Sequence, residues 1–250
     1  SATSGGGIWI PNSHYAKELG AEDSPEDAKA YLMNTLFGED VPEEMIDIYL
    51  EKAPEMLKYL HDRTDVRYES LAEYPDYYTN MEGAREGHRS LEPAPIMASE
   101  LGANWKNMTW THFMMRMFNR IHFTQVEAHL LMVQLPGWKK LLARLMWDYI
   151  RDIPWRLKTP ISRRLACGSA GVARLYLSVL KREIPLEFNT QMVELIADGD
   201  TVLGAVIECN GQRQRVRTAK GVILASGGFE KNQALREQYL PAPTNTTWSA

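Results

Sequence analysis

Four stretches hold residue types that could do chemistry. The chain begins SATSGGGIWIPN, with glycine at positions 5, 6 and 7. Backbone N–H groups of a glycine-rich turn can point at an anion or at polar ring atoms, and Ser1, Thr3 and Ser4 add hydroxyls. The apolar IWIP that follows reads as a strand, which a flexible linker would not supply. In GVILASGGFEKN, an apolar run ends in Ala225, Ser226, Gly227 and Gly228 ahead of a helix expected near Asn232. In open parallel sheets ligands sit beyond the carboxyl ends of strands, and small residues there let ligand atoms touch backbone. A plain strand-to-helix turn explains the same residues about as well. YPDYYTNMEGAREGHR gathers Tyr74, Tyr77, Tyr78, Arg85 and Arg89. A phenol can move a proton, and a guanidinium can hold a carboxylate bidentately. From residue types alone, aromatic loop anchors with solvated arginines are the better reading. Residues 105–158 interleave Trp105, Trp110, Trp138, Trp147 and Trp155 with methionines, lysines and arginines. A helical cap on the core is the first reading of that segment. A membrane-surface or apolar-substrate face is the second.

Other chemistries find no carrier. The six histidines are scattered without HxxxH or HExxH, and the two cysteines, Cys167 and Cys209, form no CxxC. No metal site is therefore expected. There is no P-loop, no defensible Ser-His-Asp order, and no GxGxxG after a strand with an acidic residue about twenty positions on. A net charge of −4 argues against nucleic acid as a partner. The cysteine usage fits a reducing compartment, so the expected location is cytoplasmic, with peripheral membrane contact through residues 105–158.

The elements that must position these residues are legible in part. With 250 residues, 44% of them hydrophobic, the chain can bury one large core or two small ones. Ser24-Pro25-Glu26-Asp27 is a helix start, with Ser24 as cap and Pro25 at the first helical position. That helix should run to about Phe37, where Gly38 stops it. A second should follow Pro42 and reach about Leu60, broken or kinked at Pro54. VRYES, residues 66–70, alternates as a short strand, and residues 71–103 read as one long polar connection. Residues 170–183 read as a helix, with a short strand near 186–188. QMVELIA and VLGAVIEC then form strands around Asp198-Gly199-Asp200, and Asn210-Gly211 is a strong hairpin signal before QRQRVRT. GVILASGG, as a continuous apolar run, reads as a strand buried on both faces of a parallel sheet.

In this order, SATSGGGIWIP, the YPDYY…GAREG loop, VELIADGDTVLGAVIE and GVILASGGFEKNQALREQYLP resemble flavoproteins of the fumarate reductase and succinate dehydrogenase type. Within that superfamily the likeness is to FAD-dependent 3-ketosteroid Δ1-dehydrogenases, and only the YPDYY loop points to the steroid branch. The resemblance implies an α/β fold: part of a Rossmann-like FAD-binding domain with a three-stranded meander, plus a helical and loop-rich cap. It implies domain roles for residues 1–103 (FAD-binding, with the active-site loop), 104–165 (cap) and 166–250 (FAD-binding, with meander and parallel strand). In the family a GxGxxG strand-turn and a ribose-binding glutamate precede the first motif, and a further catalytic region follows the last. Residues 1–250 thus look like an internal stretch, expected to be inactive alone and to bind FAD poorly.

The implied reaction removes two hydrogens from adjacent carbons of a 3-ketosteroid-like ketone, one as hydride to flavin N5 and one as a proton to a tyrosine base. By motif, Tyr77 matches an active-site tyrosine that assists the base. Ser1, Ala2, Thr3, Ser4, Gly5 and Gly6 would lie along the flavin. Val193 would meet the adenine through its backbone, and Ala225, Ser226, Gly227 and Gly228 would line the cofactor. Two other readings remain open: a fumarate-reductase-like enzyme with Arg85 or Arg89 on a dicarboxylate, and a non-catalytic helical module at a membrane surface.

Overall fold

The protein is described by a computed structural model covering residues 1–249. The chain divides into two compact units, Ser1–Glu183 and the residues from Ile184 onward. In the first, β1 (Ile8–Trp9), α1 (His14–Glu18), α2 (Pro25–Asn34), α3 (Glu43–Arg63), β2 (Tyr68–Ser70), β3 (Ser90–Pro93) and β4 (Ile96–Met97) lead to a 3₁₀ segment, Ala98–Asn107. The hairpin β5 (Arg116–Met117) and β6 (Ile121–His122) follows, then α4 (Gln125–Met132), α5 (Trp138–Arg151), α6 (Ile153–Arg156), β7 (Arg164–Leu165) and α7 (Cys167–Lys181).

The Ser24 cap forms as its sequence demands: the hydroxyl accepts from Asp27 N at 3.0 Å. Helix α2 ends at Asn34, short of Phe37, because the Thr35 amide closes back onto Tyr31 and Leu32 and Phe37 turns to φ +51°. Helix α3 is continuous through Pro54, contrary to the expected break. Ala53 and Leu57, on either side of the proline, both bury against Ile10, Tyr15 and Leu91 and hold the two halves in register. The presumed connection 71–103 is irregular only as far as Arg89. Strand β3 then inserts between β1 and β2, both antiparallel to it, pairing Leu91 with Ile8 and with Ser70.

The borders at 103/104 and 165/166 fall inside the first unit. One core cluster joins Ile96, Ala98 and Leu101 to Trp155, Leu165, Ala170 and Leu177, so residues on both sides of each border share their apolar burial. Within 105–158 the expected helices exist as α4, α5 and α6, but residues 116–122 form a hairpin instead. Among the described residues no helix is long and apolar enough to cross a membrane.

The second unit holds the expected antiparallel meander, β8 (Thr190–Asp198), β9 (Thr201–Cys209) and β10 (Gln212–Arg217), followed by α8 (Gln233–Tyr239). Asn210 and Gly211 both take positive φ, +51° and +75°, as a two-residue type I′ hairpin requires. The short strand expected near 186–188 does not form, and neither does the buried parallel strand 221–228. Residues 221–228 are irregular, with Ile223 at 93% exposure. An apolar run becomes a strand only where a neighbour completes its hydrogen-bond ladder, and no described strand pairs with this one.

Candidate functional site

The glycine stretch is built as a stapled turn. Ser4 Oγ donates to Ser1 O at 2.8 Å and accepts from Gly6 N at 3.1 Å. The turn then docks on the start of α7, where Gly168 N donates to Ser4 O at 3.0 Å, while His112 N donates to Thr3 O at 3.0 Å. Gly6 sits at φ +72°, and a Cβ there would lie 2.7 Å from Gly168 N; a Cβ on Gly168 would lie 2.2 Å from Ser1 O. Two backbones therefore touch where no side chain fits. Sequence reading missed this contact, because nothing local links residues 162 positions apart. Ser1, Ala2 and Thr3 anchor the turn, and Ser4, Gly5, Gly6 and Gly7 line a cavity of about 640 Å³.

The same cavity takes Tyr74, Asp76 and Tyr77 from the YPDYY loop, together with Trp9, Met115 and Gln125. The loop is held by a buried ionic cluster. Arg89, 1% exposed, donates through Nε and Nη2 to Asp23 at 3.0 and 2.7 Å, and through Nη1 to Asp76 at 2.9 Å and Gly83 O at 2.8 Å. Asp76 also accepts from Trp9 Nε1 at 2.6 Å and from Arg85 N at 2.9 Å. Burial pulls the Arg89 pKa down, but its bonds to Asp23 and Asp76 outweigh that and raise it, so the guanidinium stays charged. Its face lies 5.7 Å from the Trp9 ring centroid. Thus Asp76, in the middle of the tyrosine motif, fixes Trp9 on one side and the loop on the other.

Arg89 is neither solvated nor turned to a ligand, and Arg85 pairs with Asp27 and Asp23. Arg89 thus spends its charge inside the fold, whereas the Arg85–Asp27 pair lies partly exposed, with side-chain exposures of 39% and 44%. Tyr77 is 84% exposed at the cavity and Tyr74 is 36% exposed. The Tyr74 pKa is raised, chiefly by its hydrogen bond with Tyr77 and then by burial.

In the second unit, Val193 lies in β8 where the register slips: Met192 faces Ile207 and Glu194 faces Val206. Val193 is the extra residue of a β-bulge, the position whose backbone the ladder leaves unpaired. Ala225, Ser226, Gly227 and Gly228 lie in the exposed irregular stretch, with Gly227 at φ +84°.

A smaller cavity of about 380 Å³, lined by His122, Tyr149, Trp155, Ser162 and Arg164, sits elsewhere in the first unit. Ser162 Oγ donates to Arg164 O and accepts from His122 N, so His122 Nδ1 carries the proton toward Ser162 and Nε2 is a bare acceptor without a partner. Burial first, then Arg116 and Arg164, push the His122 pKa down to about 3. An imidazole locked neutral offers no acid at ordinary pH. The paired phenols and the glycine wall of the larger cavity can both move a proton and receive a flat ring, so that cavity is the candidate site.

The chain is 35% identical, over 98% of its length, to 3-oxosteroid 1-dehydrogenase of Comamonas testosteroni, of which it covers 43%. It is 32% identical, over its whole length, to 3-oxosteroid 1-dehydrogenase of Mycobacterium tuberculosis, of which it covers 44%. The crystal structure of 3-ketosteroid delta1-dehydrogenase from Sterolibacterium denitrificans, in complex with 1,4-androstadiene-3,17-dione, matches with a TM-score of 0.92 and 37% identity over 100% of this chain and 44% of that one. The chain thus spans less than half the length of these relatives. Its mixed helical and sheet architecture is that of the FAD-binding fold in the Sterolibacterium enzyme. A family model described as an FAD binding domain matches residues 1–249. By that match along the whole described length, the chain belongs to the FAD-binding-domain family of flavoproteins, with FAD as its cofactor.

Proposed function

We propose that this chain supplies the flavin-facing part, and one proton-handling phenol, of a dehydrogenase acting on a 3-ketosteroid-like apolar ketone. One observation carries the reading: Gly5 and Gly6 line the same cavity as Tyr77, so a wall of bare backbone and a phenol address one volume. At about 640 Å³ the cavity lies within the range of small-molecule sites. The residues fit FAD. Gly5, Gly6 and Gly7 bring backbone without side chains to the cavity wall, which suits a ring laid along Ser1, Ala2, Thr3, Ser4, Gly5 and Gly6. Val193, out of ladder register, has backbone to offer to a purine edge. Ala225, Ser226, Gly227 and Gly228 present nothing larger than a methyl or hydroxyl. In this reading residues 1–103 and 166–250 serve the cofactor and 104–165 cap the site.

Bound FAD supplies the hydride acceptor. The chain's own contribution is proton handling and exclusion of water. Tyr77 takes part in receiving the proton that leaves the carbon adjacent to the hydride donor. Trp9, Leu71 and Met115 give the cavity apolar surface for a fused-ring substrate. The names of the relatives support a steroid ketone. The engagement of Arg85 and Arg89 with Asp27, Asp23 and Asp76 disfavours a dicarboxylate. The test is turnover of a 3-oxosteroid with an artificial electron acceptor by the whole protein that carries this chain, residues 1–250 alone being expected to be inactive, run beside fumarate with a reduced dye. Steroid oxidation is expected, falling about 10²- to 10⁴-fold in Tyr77→Phe. Fumarate reduction without steroid oxidation would overturn the proposal.

A further inference from the structure

We propose that the Gln125 carboxamide hydrogen-bonds the polar edge of the flavin laid on the glycine wall and thereby raises its reduction potential. The inference rests on the reading of that wall as the flavin's seat, and it adds a residue from outside both the glycine stretch and the tyrosine loop. Gln125 lines the same cavity as Gly5, Gly6 and Tyr77. Its Nε2 stands 3.1 Å from where a Cβ on Gly7 would be, and 3.6 Å from where one on Gly5 would be. A ring laid along that wall lies beside this amide.

The backbone under Gln125 is fixed, while its side chain is left without a partner. At the start of α4, Gln125 N donates to Glu92 Oε2 at 2.7 Å and Val126 N donates to Oε1 at 3.4 Å. Glu92 is fully buried and lies in β3, whose Leu91 pairs with Ile8 just beyond the glycines. Thr124 and Glu127 close a capping box around the same turn, and Arg164 donates to both Glu127 oxygens at 2.9 and 3.1 Å. The first turn of α4 and the glycine wall are thus tied to one strand. The Gln125 carboxamide, although partly buried, makes no hydrogen bond to any described residue. Its neighbours in the cavity differ: Ser4 Oγ is stapled to Ser1 and Gly6, Trp9 Nε1 is engaged by Asp76, and Tyr74 bonds Tyr77. An amide with donor and acceptor both free, held against bare backbone, suits a polar atom of a bound ring. A flavin carries carbonyl and nitrogen acceptors along one edge and gains negative charge there on taking a hydride, so an N–H aimed at that edge favours the reduced form. A fused hydrocarbon ring in the same place would leave the amide unpaired.

The experiment measures the flavin midpoint potential of the whole FAD-loaded protein by dye equilibration at pH 8.5 without steroid. Wild type is compared with Gln125→Leu and Gln125→Glu. Losing the neutral donor in Gln125→Leu should shift the balance between reduced and oxidised flavin about tenfold toward oxidised, a fall of about 30 mV for a two-electron couple. Gln125→Glu has nearly the same shape but is anionic, and its potential should fall further, because its charge opposes the one the reduced ring acquires. A side chain that only packs would rank the two the other way, with the near-isosteric glutamate the milder change. Glutamate is favoured in the first turn of a helix, so this variant keeps the fold; visible absorbance checks flavin loading. Unmoved potentials in both variants, or the smaller change in Gln125→Glu, would overturn the inference. Steroid turnover read beside the potentials separates it from the reaction on which it builds. Unmoved potentials in an enzyme that oxidises a 3-oxosteroid remove the role of Gln125 alone. Lowered potentials in a protein without steroid turnover uphold that role and remove the steroid reaction.

Discussion

Tyr74 and Tyr77 stand three residues apart, and the side chain between them, Asp76, is buried and tied to Trp9 and Arg89. The two phenols therefore hang from a fixed point and meet each other at the cavity. The rise in the Tyr74 pKa, owed first to its hydrogen bond with Tyr77 and then to burial, marks the two phenols as a hydrogen-bonded pair. This yields a prediction that sequence motifs alone would not make. In Tyr77→Phe, the Tyr74 pKa should fall back toward that of an ordinary phenol, as read from the ¹³Cζ shift of labelled tyrosine during an alkaline titration. On turnover, Tyr74→Phe and Tyr77→Phe should be non-additive, with the double variant within about threefold of Tyr77→Phe, because residues acting as one unit are lost together. An unmoved Tyr74 and strictly multiplicative losses would show two independent side chains.

The loop that carries those phenols has no regular structure to stiffen it, and the Arg89 cluster takes that part. Removing one partner of a buried ion pair costs about 3–5 kcal/mol, because the charge left behind stays desolvated. Arg89→Met leaves the buried Asp76 carboxylate without a cation and Asp23 with only the longer contact to Arg85, and should show that loss in urea unfolding. Asp76→Asn keeps an acceptor for Trp9 Nε1 and leaves Arg89 with Asp23, so its cost should be nearer 1–3 kcal/mol. Equal costs for the two would mean that Arg89 does not organise the loop. Arg89 marks where reading the sequence succeeded and where it stopped. Its presence beside the tyrosines was visible, but its partner Asp23 lies 66 residues away, and local pattern carries no information about such a pair. The meander was legible because its turn signals, Gly199-Asp200 and Asn210-Gly211, lie between the strands they join. Residues 221–228 were misread for the converse reason: their apolar run specifies burial, but pairing depends on a neighbouring strand, which is a non-local fact. The cap of α2 was legible through Ser24, whereas its early end at Asn34 was decided by the Thr35 amide and by the turn at Phe37.

At the scale of the whole molecule, six of the seven tryptophans fall in the first unit and only Trp248 in the second, so tryptophan fluorescence reports chiefly on the unfolding of the first. That unit buries His122 at 1% exposure with Nε2 unpartnered, and its pKa is depressed from 6.5 to about 3. The unfolded chain therefore binds a proton at this site that the native chain refuses. Stability from this residue is fully present above about pH 6.5 and is lost progressively as pH falls toward 3, with about 2 kcal/mol gone by pH 5. His14, also lowered mainly by burial, acts in the same direction. Glu92, whose carboxyl is raised by burial, acts oppositely, gaining stability as it protonates. The slope assignable to His122 is thus the difference between wild type and His122→Asn, whose amide can still donate to Ser162. Urea unfolding of the two proteins at pH 7.5 and pH 5 should show the wild type losing about 2 kcal/mol more than the variant on acidification. If the two lose stability in parallel, the imidazole is not held neutral in the folded core, and the assignment of His122 as a structural, non-titrating residue falls with it.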